Sequence, residues 1–128
     1  VTDTALDTRL ETIDDEQCRA MVTHLEFLGR RWVGAILLAG IRGARRFSEY
    51  RVLVEGISDR LLSVRLKELE ADGFIERTVT PTTPVSISYA PTRRGRDLIV
   101  AAQPLAAWAH GDERRHHTPE RHLRAVSD

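Results

Sequence analysis

Between Ser58 and Ala90 the spacing of apolar residues changes once, at Gly73, from the period of a helix to that of a strand. Before the change, Leu62, Leu66 and Leu69 form a helical stripe behind Ser58, a capping residue, and Asp59, whose charge suits the positive end of a helix dipole. Gly73 stands where a helix needs a C-terminal stop. After it, Phe74, Ile75, Arg77, Thr78 and Val79 read as an extended, β-branched segment. Two prolines and three threonines in residues 80–84 make a turn. Val85, Ile87 and Tyr89 then alternate with Ser86, Ser88 and Ala90 as a half-buried second strand. The stretch therefore predicts a helix followed by a β-hairpin.

The flanks extend this core. Met21, Val22, Leu25 and Leu28, then Trp32, Ile36 and Leu37, keep helical spacing with an interruption near Gly29, which reads as two helices or one with a break. Gly40 and Gly43 are expected to end that run. Phe47, Tyr50 and Leu53 mark a short helix started by Ser48 or the residues just before it. Thr92 caps a final helix with Leu98, Ile99, Ala102, Leu105 and Trp108 on its apolar side, and Pro104 is expected to bend or split it. Helix, helix, short helix, helix, strand, turn, strand, helix is the connectivity of a winged helix-turn-helix, a mainly α fold with a small β-hairpin.

At 128 residues, with 41% hydrophobic and 30% charged, the chain can bury one core. The expected division is a flexible acidic arm over 1–15, a winged helix-turn-helix domain over 16–110, and a polar tail that contains His and Arg over 111–128. No apolar run reaches the roughly 18 residues of a bilayer span, and the N-terminus is acidic where a secretory signal is basic, so a cytoplasmic protein without membrane contact is expected. The single cysteine, Cys18, leaves no intramolecular disulfide and fits a reducing compartment. No nucleophile elbow, phosphate-cradling glycine loop or paired carboxylates is present, which argues against an enzyme, and no cofactor is expected. His110, His116, His117 and His122 match no ordered metal-ligand set, so no metal is expected, and Thr118–Val126 reads as a short helix in the tail.

The formal net charge of zero conceals an asymmetry. Residues 1–29 carry two Arg against seven acids, net −5; residues 30–96 carry thirteen Arg and Lys against seven, net +6; residues 97–128 carry four against five, net −1. Counterion release from DNA needs local positive charge, not a positive total, and an unevenly charged solvated surface is the plain alternative. A major groove about 12 Å wide accepts one α-helix with a buried face and an outward polar one. Arg60, Ser63, Val64 and Lys67 are the outward positions of the helix after Ser58, with Arg suited to guanine, Ser to donor or acceptor, and Val64 to a thymine methyl. Arg65 on the flank reaches a phosphate or holds an acid such as Glu68 or Glu49. Arg45 and Arg46 precede the short helix at a place for backbone phosphates, and the hairpin adds Arg77, Thr78, Thr80, Thr82 and Thr83. An ordinary mixed-charge surface helix would share this composition, but not the order of elements around it.

These residues also carry a family resemblance. Cys18, LEFLGRRW (25–32), ILLAGIRGARRFSEYR (36–51), GISDRLLSVRLKELEADGFIERTV (56–79) and SYAPTRRGRDL (88–98) ending in Trp108 resemble the HxlR family of winged-helix regulators over residues 18–110. The resemblance implies a homodimer formed through the first and last helices, double-stranded operator DNA as partner, and repression or activation of a neighbouring gene. The chain departs from the family where Arg19 replaces a common Pro after the cysteine, where Val64 replaces a polar residue, and in the position of Pro104. Some members sense oxidants or electrophiles through the cysteine that Cys18 matches. A thiol near a helix start and beside Arg19 gains thiolate character, while Asp14, Asp15 and Glu16 oppose it, and an unreactive cysteine is the plain alternative. A competing switch is a small effector in a pocket lined by Met21, Phe27, Trp32 and Trp108, although such aromatics are more often simple core. A winged helix that binds another protein instead of DNA is the remaining rival.

Overall fold

A computed structural model describes residues 13–116. Among them are five helices and two strands: α1 (Asp15–Leu28), α2 (Val33–Ile41), α3 (Phe47–Leu53), α4 (Asp59–Ala71), β1 (Ile75–Thr80), β2 (Ser86–Pro91) and α5 (Arg93–Arg115). This is the mainly α, winged helix-turn-helix order that the sequence predicts. The arm before Ile13, His117, His122 and the 118–126 helix lie outside the described residues.

The described residues divide between Arg30 and Arg31 into two units. The first holds α1. Its start is fixed by a reciprocal pair: Gln17 N–H donates to Asp14 Oδ1 at 2.8 Å, and Asp14 N–H donates to Gln17 Oε1 at 3.1 Å. That capping box begins the helix at Asp15, inside the segment expected to be an arm. No α1 residue is buried, and Met21, Val22 and Leu25 are exposed.

The second unit contains the core. α2 buries Val33, Ile36 and Leu37, α4 buries Leu62, Leu66 and Leu69, and Tyr50, Phe74 and Ile75 complete the packing. α2 begins after Trp32, which takes a left-handed φ of 80°, so the break near Gly29 separates two helices. The helix continues through Gly40 and ends at Ile41. Gly40 is required for close approach, since a Cβ there would stand 2.7 Å from Pro91 Cγ and 2.8 Å from the Tyr50 hydroxyl. Gly73 is demanding through its backbone: at φ +79° it turns the chain out of α4, and Phe74 N–H donates to Leu69 O at 2.9 Å.

β1 and β2 pair antiparallel from Ile75 opposite Pro91 to Thr80 opposite Ser86, with residues 81–85 as the tip. Thr92 ties the hairpin to α5: its hydroxyl accepts from Gly95 N–H at 3.1 Å and donates to Gly73 O at 2.7 Å. Pro104 does not split α5. It lies at an exposed position, where water can satisfy the carbonyl that loses its helical partner. α5 also runs past His110 to Arg115, so the first five residues of the expected tail are helical. No described helix is long and apolar enough to cross a membrane.

Candidate nucleic-acid interface

Two helices joined by a tight turn form the centre of the site. α3 is only seven residues long, and its start is held by Glu49, whose Oε1 accepts from the backbone N–H groups of both Arg45 and Arg46 at 2.9 Å. Of the two starts the sequence offers, the structure takes the residues just before Ser48, with Arg46 as the cap. The same two N–H groups, Arg46 first and then Arg45, hold the Glu49 carboxyl below the usual carboxylate range. The turn closes with Val54 and Ile57 buried and with Gly56 at φ +93° beneath Trp32, whose ring lies 3.5 Å from where a Cβ would stand. Across it, Arg51 Nη1 meets Asp59 Oδ2 at 3.2 Å, a pairing of α3 with the first turn of α4.

Ser58 accepts from Leu61 N–H at 3.1 Å and so caps α4, as expected. With Leu62, Leu66 and Leu69 fixed inward, helical geometry turns Arg60, Ser63, Val64 and Lys67 to the other side. Arg60, Val64 and Lys67 are exposed and Ser63 is half-buried. Arg60 and Lys67 form no ion pair with any described residue, so both charges are available to a partner. Arg65 differs. Its Nη1 binds Glu68 Oε1 at 2.7 Å and its Nε donates to Arg31 O at 3.0 Å, so it holds the acid Glu68, one of the two roles expected of it.

Arg45 and Arg46 also separate. The Arg45 guanidinium is half-buried and Nη1 donates to Gly40 O and Ala44 O at 2.7 Å each. It braces the α2–α3 connection. Arg46 is exposed at the start of α3. In the hairpin, Arg77, Thr78, Thr80, Thr82 and Thr83 are all exposed, although Thr82 Oγ1 donates to Pro84 O at 2.8 Å and so shapes the tip.

Tyr89 fastens the hairpin beside α3. Tyr89 N–H donates to Arg45 O at 2.7 Å, and the Tyr50 hydroxyl donates to Tyr89 O at 2.8 Å. The two rings meet edge to face with centroids 6.4 Å apart. Burial pushes the Tyr50 phenol up to about 12, against the opposing pull of Arg45. This attachment is not foreshadowed by the sequence, because it joins residues 39 apart along the chain.

Of the residues expected to line an effector pocket, Met21 is exposed and Phe27 half-buried in the first unit, while Trp32 and Trp108 belong to the second. Trp32 is covered by the Arg31 guanidinium at 4.9 Å and packs on Gly56; Trp108 is exposed. Cys18 is exposed as a free thiol on α1.

Comparison with known proteins agrees with this geometry. Residues 27–117 match the family described as HxlR-like helix-turn-helix. The chain is 38% identical over 94 residues to the HTH-type transcriptional regulator YvaP of Bacillus subtilis, covering 73% of this chain and 87% of YvaP. The crystal structure of diamide-treated YodB from B. subtilis superposes with a TM-score of 0.65 at 35% identity, over 78% of this chain and 95% of that one. The redox regulator HypR in its reduced form gives 0.66 at 31% identity, over 73% and 93%. YodB itself is an HTH-type transcriptional regulator. A helix-turn-helix with an uncommitted cationic face, a hairpin fixed beside it and these relatives lead to one assignment: the chain belongs to the HxlR-like helix-turn-helix family of DNA-binding transcriptional regulators and is not an enzyme.

Proposed function

We propose that the protein is a homodimeric repressor that places α4 in the major groove of operator DNA upstream of a nearby gene. The observation that carries this reading is the outward face of α4, where Arg60 and Lys67 are exposed without an ion-pair partner among the described residues while three leucines anchor the opposite face. In this reading Arg60, Ser63, Val64 and Lys67 meet base edges, and Arg46, Arg77, Thr78 and Thr80 meet phosphates. Ser58 and Thr82 act indirectly, by fixing the helix start and the hairpin tip. The dimer forms through the exposed apolar faces of α1 (Met21, Val22, Leu25) and of α5 (Val100, Leu105, Trp108). A two-fold axis then sets the recognition helices about one DNA turn, roughly 34 Å, apart.

The test is a mobility shift with the duplex upstream of the protein's own gene, combined with sedimentation. A salt-sensitive shift by a dimer is expected; no shift at low micromolar protein favours a winged helix that binds another protein.

The exposure of Cys18 favours an oxidant or electrophile as the switch, as do the diamide-treated and quinone-bound forms in which YodB was solved. Oxidation to a sulfenic acid, or to a disulfide with the second subunit's Cys18, alters the dimer helices and with them the spacing of the two copies of α4. Intact-mass spectra after mild peroxide should show the adduct, and Cys18→Ser should abolish the accompanying change in DNA affinity. An unmodified thiol would remove this part of the proposal.

A further inference from the structure

Tyr89, which fastens the hairpin beside α3, is also the register partner of the hairpin's one arginine. In the antiparallel ladder Tyr89 stands opposite Arg77. Both backbone polar groups of Tyr89 are used on its outer edge, the N–H on Arg45 O at 2.7 Å and the C=O on the Tyr50 hydroxyl at 2.8 Å. In an antiparallel pair the N–H and C=O of one residue point the same way, so the Arg77–Tyr89 pair is one that does not exchange ladder hydrogen bonds. Such pairs bring their Cα atoms to about 4.5 Å and set their side chains close together on one face. The position of Arg77 is thus referred, through one strand, to the segment that opens α3.

Of the two outer bonds, the one from Arg45 joins backbone to backbone, whereas the other depends on a single side-chain hydroxyl. That hydroxyl is crowded into place: Tyr50 is fully buried, and the missing side chain of Gly40 leaves the space into which the hydroxyl and Pro91 fit. We propose that the Tyr50 hydroxyl is the positioning group of the hairpin, fixing through Tyr89 where Arg77 stands relative to α4 and hence whether both elements engage one duplex together. The proposal deepens the reading above and rests on the hairpin as a phosphate-contacting arm.

The experiment uses the full chain with Tyr50→Phe, which keeps the ring in the core and removes only the donor. Spin labels at Glu70→Cys on α4 and Val85→Cys at the exposed hairpin tip, in a Cys18→Ser background diluted with unlabelled chain, report the hairpin position without DNA. Their distance distribution should broaden in Tyr50→Phe and stay narrow in Tyr89→Phe, which retains both backbone groups. An unchanged distribution in Tyr50→Phe, or equal broadening in Tyr89→Phe, overturns the proposal. On DNA, Arg77→Ala should weaken binding roughly three- to tenfold in the parent chain and clearly less in Tyr50→Phe, since the arginine is then already misplaced. Equal losses in both backgrounds overturn the coupling. No loss from Arg77→Ala in the parent removes the phosphate-contacting arm instead, and the label distances still decide the positioning. A measurement on the unsubstituted chain guards against a variant that fails to fold: the Tyr50 hydroxyl proton should be a slowly exchanging resonance close to Tyr89, and its absence counts against the proposal.

Discussion

At the scale of single residues, Gly40 shows how the lack of a side chain can be required by its neighbours. Gly40 lies within α2, where a glycine costs helix stability, yet any Cβ there would press on Pro91 and on the Tyr50 hydroxyl at under 3 Å. The crowding outweighs the helix gain: Gly40→Ala should destabilise the fold by about 1–3 kcal/mol, read as a lower urea midpoint with unchanged slope. A midpoint at or above the parent's would mean that the hairpin yields freely there. The neighbouring phenol gives a pH signature. Its pKa is raised from 10.0 to about 12, so the folded state holds the Tyr50 proton more tightly than the unfolded chain does. Stability from this group is therefore complete below pH 10 and lost as pH rises toward 12. Urea midpoints through that window should fall more steeply in the parent than in Tyr50→Phe, and parallel slopes would exclude the buried phenol as their cause.

At the scale of elements, legibility follows the range of the interaction. α4 is readable because its cap, its leucine stripe and its glycine stop are all encoded within sixteen residues, Ser58 to Gly73, and the structure places each where its chemistry requires. The hairpin is readable for a similar reason, its period and its turn residues being local. Where sequence and structure part, a local signal is overridden by the surroundings. Pro104 reads as an interruption of α5, but an exposed helix tolerates it; Gly40 and Gly43 do bracket the end of α2, yet Gly40 also admits β2, which no local signal foretells. The capping box at Asp14 is written in the sequence as D-x-x-Q, but the acids around it argue for an arm. Since α4 depends so much on its own ends, its stop should be sensitive. Gly73→Ala forces a left-handed φ of 79° on a side chain and should cost about 1–2 kcal/mol in denaturant unfolding. Gly43→Ala also meets a positive φ, of 112°, but has open space around it, so a loss confined to Gly43 would show that the α4 stop is not what the fold relies on.

For the molecule as a whole, zero net charge is compatible with DNA binding only if the charges are segregated. They are: the segment that contains α2, α3, α4 and the hairpin, residues 30–96, carries net +6, and the acids concentrate before it. At physiological ionic strength charges more than about 8 Å apart are largely screened from one another, so the DNA feels the local surface and not the sum. The two classes of contact should then separate experimentally. Arg46→Ala removes a phosphate partner and should weaken binding to operator and unrelated duplex alike, lowering the slope of log affinity against log salt by about 1 for each phosphate left unneutralised. Arg60→Ala, on the groove-facing side of α4, should cost about 1–3 kcal/mol on the operator, much less on unrelated DNA, and relax preference at one base pair. Both quantities come from titrations of labelled duplexes at several salt concentrations. If Arg46→Ala relaxed base preference while Arg60→Ala only scaled affinity, α3 and not α4 would be the helix in the groove. The buried leucines of α4 would then be core packing with no part in presenting a reading face.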